Sequence, residues 1–204
     1  GVIVGPSGIG KTVLANRLGS FASVDGALFL TGKFDQLQQT TPFSALASAF
    51  SEYCNQMAKG GRYNDLELVA SNLRVALGGE ARHLVKVIPN LSAVLGEGAD
   101  QYEDQDCANA QARIQHLLCL FVDVISSFSG VPVLLFLDDL QWSDPASLGA
   151  MNQLLKYLRA SSNSKRQFFF LGSCREEGLF EEHPLESTLT SIRQFGVHAT
   201  VIKL

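Results

Sequence analysis

The sequence predicts an α/β fold in which a parallel sheet of five strands is covered by helices on both faces. Short apolar runs alternate along the chain with longer segments whose apolar residues recur at three- and four-residue steps, a pattern typical of parallel strands joined by crossover helices. One run, Val133–Leu137, is apolar throughout, which indicates a strand buried on both faces. The chain has 204 residues, of which 46% are hydrophobic and 18% charged, so it is long enough for one folded domain and intrinsic disorder is excluded.

This alternation assigns the elements in order along the chain. The expected strands are Val2–Val4, Ala27–Thr31, Val133–Leu137, Gln167–Leu171 and Val197–Leu204. The expected helices are Lys11–Leu18, one beginning at Thr41 and Pro42, Leu66–Leu77, Ala81–Val87, Asp106–Phe128, one following Asp144 and Pro145, and Pro184–Arg193. Residues from about 60 to 103, interrupted by glycines and Pro89, are expected to form a helical insert between the second and third strands.

A glycine-rich loop separates the first predicted strand from the first predicted helix. Glycines let the backbone approach phosphate groups closely, so that N–H groups and the helix N-terminus face the anion. Lys11 would reach the β- and γ-phosphate oxygens and Thr12 would offer its hydroxyl to Mg²⁺, while the shape of the loop would not depend on the Lys11 side chain. The segment that matches G-x-x-x-x-G-K-[ST] is Gly5-Pro6-Ser7-Gly8-Ile9-Gly10-Lys11-Thr12. The sequence therefore predicts a P-loop NTPase that binds a nucleoside triphosphate together with Mg²⁺.

Two carboxylates, Asp138 and Asp139, follow the buried strand Val133–Leu137. Ligands of open α/β sheets bind beyond the carboxyl ends of the strands. We therefore expect Asp138 to take part in the Mg²⁺ coordination shell and Asp139 to orient or activate the attacking water. The alternative is that the pair caps the following turn. Because Asp is a shorter arm than Glu, turnover is expected to be slow.

Polar residues also follow the fourth predicted strand, in the segment Gly172-Ser173-Cys174-Arg175. If that strand lies between the P-loop strand and the acidic strand, a polar residue at its end faces the γ-phosphate. Arg175 is predicted to be that residue and to act in catalysis, because a guanidinium group matches phosphate geometry and keeps its charge. Ser173 is the second choice. A surface ion pair of Arg175 with a neighbouring glutamate is the alternative.

The motifs together resemble a known family. The segment Phe136–Leu148, which reads FLDDLQWSDPASL, is similar to the extended Walker B segment of the signal-transduction ATPases with numerous domains, close to the origin-recognition-like AAA group. Further segments resemble that family's signposts in the same order: Thr31–Gln36, Val87–Leu91, Leu171–Arg175 and His183–Leu185.

The resemblance spans nearly the whole chain and implies ATP binding, slow hydrolysis and switch-like signalling, with linked sensor or effector domains and a nucleotide-dependent oligomer. The expected fold is a three-layer P-loop NTPase sandwich. Its central sheet is expected to have the strands in the order fifth, first, fourth, third, second. Family members usually have a helix before the P-loop strand and a lid after the last strand, both contacting adenine. Residues 1–204 are thus expected to be the P-loop ATPase core of a longer protein, with helix and lid outside them.

Five further residues match family positions and are expected to be mainly structural or carry no assigned role. Trp142 is expected to pack in the core and Asp144 to cap a helix. Lys33 and Asp35 are expected to be solvated or to tether a loop, and Gln141 receives no role.

The net charge argues against nucleic acid as a partner, and the lengths of the apolar runs argue against a membrane-spanning helix. Lysine and arginine number 16 against 20 aspartates and glutamates, a net charge of −4, and no basic residue lies between Val87 and Ala112. A backbone-binding nucleic-acid partner needs the opposite balance, so it is disfavoured for this domain. The longest apolar run, Val131–Leu137, is too short for a membrane-spanning helix.

The spacing of the cysteines indicates the cellular compartment in which the protein is located. No C-x-x-C pair or metal-ligand spacing occurs, so the thiols are expected to be reduced core residues of a cytoplasmic protein. They are Cys54, Cys107, Cys119 and Cys174.

Four alternative functions can be compared with the sequence. A GTPase is disfavoured because Gly32–Asp35 mimics only half of a guanine motif and occurs too early, and a small-molecule kinase because no arginine-rich acceptor pocket is evident. A DNA-loading ATPase conflicts with the acidic balance. A module that holds nucleotide or binds other proteins without significant turnover is the remaining alternative.

Overall fold

Strands and helices alternate in the computed structural model, which describes residues 1–38, 40–59, 66–96, 109–160, 166–176 and 184–204. The strands are β1 (Val2–Gly5), β2 (Leu28–Lys33), β3 (Val133–Asp138), β4 (Phe168–Arg175) and β5 (Val201–Lys203). The α-helices are α1 (Lys11–Val24), α2 (Ser44–Ala58), α3 (Leu66–Leu77), α4 (Ala81–Val87), α5 (Leu91–Leu95), α6 (Ala110–Phe128), α7 (Pro145–Ala160) and α8 (Pro184–Gln194).

The five strands form one parallel sheet in the order β2-β3-β4-β1-β5. The predicted α/β class and strand order are therefore confirmed. Residue Gly5 of β1 pairs with Arg175 of β4, and Lys33 of β2 pairs with Asp138 of β3. Because β4 lies between β1 and β3, the carboxyl ends of these three strands meet at one edge of the sheet.

Helices cover the two faces of the sheet unequally. On one face α1 packs through Ala15 against Ile3, Phe136 and Leu171. The other face carries the larger core, to which α2, α6, α7 and α8 all contribute. This gives the three layers expected of a P-loop NTPase.

The described part of the predicted insert, residues 66–96, forms α3, α4 and α5. These helices pack against α2 and α6 through buried apolar residues such as Leu73 and Leu91. Arg113 of α6 also pairs with Glu80, at 3.1 Å between Nε and Oε2. The remainder of the predicted insert and the start of the predicted helix at Asp106 lie outside the described residues.

The start of α2 differs from the prediction. The sequence predicts Thr41 as the N-cap and Pro42 as the first helical residue, whereas α2 begins at Ser44 after Phe43, whose φ is 64°. The left-handed backbone turns Phe43 into the core, where it is 4% exposed. Burying a phenylalanine stabilises by about 1.5–3 kcal/mol, more than the roughly 1–2 kcal/mol that the left-handed conformation costs.

Several other element boundaries differ as well, and the following three differ by four residues or more. Strand β4 extends to Arg175 rather than ending at Leu171, since its polar residues pair along β1. Strand β5 is shorter than predicted because it pairs with β1, which has four residues. Helix α1 continues past Leu18 to Val24.

No helix among the described residues is long and apolar enough to cross a membrane. Of the four cysteines, Cys54, Cys119 and Cys174 are buried free thiols, as predicted, and Cys107 lies outside the described residues.

Candidate functional site

The loop between β1 and α1 has the backbone geometry that its glycines permit. Gly8 and Gly10 have φ values of 78° and 102°, which residues with a side chain rarely adopt. Gly5 is crowded instead, since a Cβ there would lie 3.0 Å from the carbonyl oxygen of Leu204. Gly10 is the N-cap of the 14-residue helix α1, so the loop leads directly into a helix N-terminus, where backbone N–H groups favour anions.

Lys11 is more involved in the loop than the sequence suggests. Its Nζ donates hydrogen bonds of 2.8 Å to the carbonyl oxygens of Gly5 and of Pro6, and the residue is 7% exposed. The expectation that the loop does not depend on this side chain is therefore wrong. The ammonium group holds together the two carbonyls at the start of the loop.

Asp138 links the loop to two other strands. Its Oδ2 accepts a hydrogen bond from the Thr12 hydroxyl at 2.9 Å, and its Oδ1 accepts one from the Ser173 hydroxyl. Asp138 is 4% exposed and Ser173 is fully buried. Buried polar groups need such partners, and here each carboxylate oxygen has one. The sequence offered Ser173 only as second choice for a phosphate contact, and the structure brings it to the Asp138 carboxylate.

Asp139 follows β3 with an unusual backbone conformation and lines a cavity together with residues of the loop. Its φ and ψ are 57° and 47°, a left-handed conformation that aspartate and asparagine tolerate better than most residues. Its Oδ1 accepts a 2.9 Å hydrogen bond from Nε2 of Gln141, and its Oδ2 lies 3.4 Å from Nζ of Lys33. The Asp139 side chain is 20% exposed and that of Lys33 is 68% exposed.

Arg175 ends β4 opposite Gly5, the first residue of the loop. Arg175 lines the same cavity, of about 280 Å³, as Asp139 and loop residues that include Lys11 and Thr12. The backbone N–H of Arg175 donates a 3.1 Å hydrogen bond to Oε1 of Gln141. The predicted loop, acidic and arginine residues thus come together at one edge of the sheet.

Cavity size alone would direct attention elsewhere. Cavities of about 340 and 390 Å³ lie near the amino ends of the strands and share Phe168 and Phe169 in their linings. Neither contains the loop or the Asp138–Asp139 pair. Convergent charged groups and strand ends identify the smaller cavity as the candidate site.

Other residues that match family positions make contacts that stabilise the fold. Asp144 caps α7, with its Oδ1 accepting the N–H of Ser147 at 2.8 Å. Trp142 packs against the core, and Asp35 accepts the N–H of Leu37 at 2.9 Å. Sequence reasoning missed the contacts of Gln141 and the pairing of Lys33 with Asp139. The position of Gln141, two residues after Asp139, was the available signal.

The side chains at this edge suit a magnesium ion shared with a phosphate. Thr12 and Asp138 offer hydroxyl and carboxylate oxygens, the ligands that Mg²⁺ prefers, and the ion usually keeps several waters. Among the residues that the structure describes, no group of three or more His, Cys, Asp and Glu side chains could form a metal cage. The Thr12 hydroxyl and the Asp138 carboxylate fit a Mg²⁺ ion that also binds phosphate oxygens.

Comparison with known proteins agrees with this geometry. The hybrid signal transduction histidine kinase G of Dictyostelium discoideum is 32% identical over 157 residues, which are 76% of this chain and 4% of that protein. The chain thus spans a small fraction of its relative's length. A family model described as the AAA ATPase domain matches residues 1–168, which include the loop, Asp138 and Asp139. On this match, the chain belongs to the AAA ATPase domain family.

Proposed function

We propose that this chain binds Mg·ATP and hydrolyses it slowly, and that its nucleotide state acts as a conformational switch in a multidomain signalling protein. The observation that carries the proposal is the 2.9 Å hydrogen bond between Thr12 and Asp138, which joins the end of the P-loop to the acidic strand. Membership of the AAA ATPase domain family supports ATP as the nucleotide.

The loop would bind the phosphates. The phosphates would be bound by residues 5–12 (Gly5, Pro6, Ser7, Gly8, Ile9, Gly10, Lys11, Thr12), whose backbone N–H groups would surround the anion except at Pro6, which has none. Lys11 would exchange its carbonyl partners for phosphate oxygens. Thr12 and Asp138 would hold the metal ion. When bound, Mg²⁺ supplies positive charge that offsets the charge developing on the phosphates.

Asp139 would act on the attacking water as a general base or orienting group. The support is its place in the cavity beside Lys11 and Thr12, with a side chain that remains partly exposed. Arg175 would contact the γ-phosphate from the end of β4. Aspartate is a short base, so we expect a rate well below the roughly 5–20 s⁻¹ that a GTPase reaches with a partner's arginine finger.

The proposed partners follow from the relative and from charge. The relative is a hybrid signal transduction histidine kinase of which this chain matches 4% of the length, which supports linked sensor or effector domains. We also propose that the protein forms a nucleotide-dependent oligomer. We further propose a cytoplasmic location, which the buried free thiols support. The net charge of −4 disfavours nucleic acid as a partner of this domain.

A second candidate is a module that holds nucleotide without significant turnover. It is favoured by the contacts of Asp139, because both carboxylate oxygens lie near another side chain. In that case the bound nucleotide would stabilise one arrangement of the domain, and Asp139 would be a structural residue of the turn.

Phosphate release by the intact protein separates the two candidates. Asp139→Asn is the sharpest change, because asparagine tolerates the left-handed backbone and keeps the size of the side chain. We expect Asp139→Asn to keep ATP affinity and to slow single-turnover hydrolysis by about 10²- to 10⁴-fold, the effect of losing a positioned base. Asp138→Asn, the matched change one residue earlier, should lower affinity and rate together.

Two other results would contradict this proposal in different ways. If Asp139→Asn hydrolysed ATP as fast as the unaltered protein, Asp139 would have no role in turnover. Absence of phosphate release from the unaltered protein, together with tight ATP binding, would establish a holding module.

A further inference from the structure

We propose that Gln141 is a positioning residue that orients the carboxylate of Asp139 and ties it to the end of β4. The inference rests on the proposed hydrolysis and concerns how its water-activating group is held. Gln141 is 7% exposed and lies in the short 3₁₀ turn Leu140–Trp142 that follows Asp139.

The orientation of the Gln141 amide follows from hydrogen-bond chemistry. The backbone N–H of Arg175 can only donate, so the oxygen Oε1, at 3.1 Å, must face it. The amide nitrogen Nε2 then faces Oδ1 of Asp139, at 2.9 Å. One side chain thus accepts from β4 and donates to the carboxylate.

The turn that carries Gln141 is itself fixed against β4. Leu140 is fully buried and packs where β4 has Gly172, since a Cβ on Gly172 would lie 2.4 Å from Cδ1 of Leu140. The N–H of Trp142 donates to the carbonyl of Asp139 at 2.9 Å and closes the turn. Gln141 therefore projects from a rigid base, as a positioning group must.

Lys33 is a weaker candidate for the same task. Its contact with Oδ2 of Asp139 is 3.4 Å long and its side chain is 68% exposed, and such exposed ion pairs contribute about 0–1 kcal/mol. The Gln141 bond is shorter, partly buried and made to a charged acceptor, which strengthens it. Gln141 holds Oδ1, and Oδ2 can leave the exposed lysine for a water.

Two substitutions separate the donor from the acceptor of the amide. Gln141→Leu keeps similar volume and removes both hydrogen bonds. Gln141→Glu keeps an acceptor for the N–H of Arg175 but places a carboxylate where the donor to Asp139 was. Gln115→Leu is the matched control, because Gln115 also donates from its amide to a structural acceptor, the carbonyl of Ala146 at 3.1 Å.

Kinetics with Mg·ATP on the intact protein test the proposal. Gln141→Leu and Gln141→Glu should each lower kcat by up to about 100-fold, the effect of misplacing a reacting group, and leave KM within about twofold. Gln115→Leu should keep both constants. In the Asp139→Asn background, Gln141→Leu should cause no further loss, because the carboxylate it positions is gone. Unfolding midpoints of all variants identify any general loss of stability.

Several outcomes would overturn the inference. A normal kcat in Gln141→Glu would reduce Gln141 to a partner of the Arg175 backbone, and parallel losses of affinity and rate would make its role structural. If Gln141→Leu hydrolysed ATP at the unaltered rate while Asp139→Asn hydrolysed it slowly, the inference about Gln141 would be wrong and the proposed function would stand. An unchanged rate in Asp139→Asn would remove Asp139 as the base, and with it both this inference and the proposed mechanism of hydrolysis, while ATP binding and hydrolysis themselves would stand.

Discussion

Lys11 has two tasks that compete for one ammonium group. It donates to the carbonyls of Gly5 and Pro6, and in the proposed function it must also reach phosphate oxygens. Each hydrogen bond to a charged group contributes about 1.5–3 kcal/mol, so the exchange of partners is close to balanced and the net gain comes from the charge of the phosphates.

Replacing Lys11 should therefore affect binding more than folding. We expect Lys11→Ala to weaken Mg·ATP binding by at least about tenfold, or 1.4 kcal/mol, and to lower the free energy of unfolding by about 1–3 kcal/mol. Calorimetry and urea titration measure the two effects. Lys59→Ala removes the same charge from the exposed end of α2 and should change neither. Unchanged affinity in Lys11→Ala would contradict the assignment of the loop.

At the scale of residues, the sequence predicts which side chains gather and not how they pair. The spacing of the loop motif and the acids after an apolar run identified Lys11, Thr12, Asp138 and Asp139, because these patterns depend on neighbours in the chain. The bonds of Gln141 depend on where β3 and β4 end relative to each other, which no local pattern contains.

Helix α2 approaches the sheet closely because β2 carries a glycine. A Cβ on Gly32 would lie 2.1 Å from the carbonyl oxygen of Ala45, which belongs to the α2 backbone. Backbone cannot turn away as a flexible side chain can, so the helix position depends on this glycine. This contact places α2 over the strand whose last residue, Lys33, reaches Asp139.

A methyl group at this position should force the two elements apart. We expect Gly32→Ala to lower the free energy of unfolding by about 1–3 kcal/mol or more, the effect of overpacking a core. Gly79→Ala is the control, because a methyl group there would meet no atom of the described residues within 4 Å and the glycine has an ordinary backbone. Chemical denaturation compares the two, and equal midpoints would contradict the close approach.

At the scale of elements, local patterns predicted the existence of strands and helices better than their limits. Leu66–Leu77 and Ala81–Val87 match the structure because glycines and proline bound them. The start of α2 could not be predicted, since the left-handed backbone of Phe43 is a result of tertiary packing. The polar end of β4 could not either, because the buried Ser173 hydroxyl has tertiary partners, the Asp138 carboxylate and the N–H of Asp139, which no local pattern reveals.

The whole molecule places its thiols in the apolar interior. Burial raises the pKa of Cys174 from 9.0 to about 11, and it raises the pKa of Cys54 and of Cys119 to about 12. A thiol with a raised pKa stays protonated in the folded protein at a pH where the unfolded chain has lost the proton. Its stabilising contribution is complete below pH 9 and is lost as the pH rises through these values.

Folding stability should therefore decrease in alkaline solution. We expect the free energy of unfolding to fall between about pH 9 and about pH 12, and to fall less steeply in Cys54→Ala, which removes one such group. Urea titrations across this range measure the slope. Cys54→Ala should have lower stability at neutral pH because of its cavity, so the comparison concerns slopes alone. Equal slopes would show that the Cys54 thiol ionises alike in both states.

The topology also determines when the site forms during folding. The hydrogen bond between Thr12 and Asp138 joins residues that are 126 positions apart, and it requires β4 to be inserted between β1 and β3. Such long-range parallel pairing is slow, because the entropy of closing the chain is lost before the contacts form. A nucleotide would therefore meet a complete metal site only on chains whose central strands are already in register. Its binding energy would then stabilise the native state at a late step of folding.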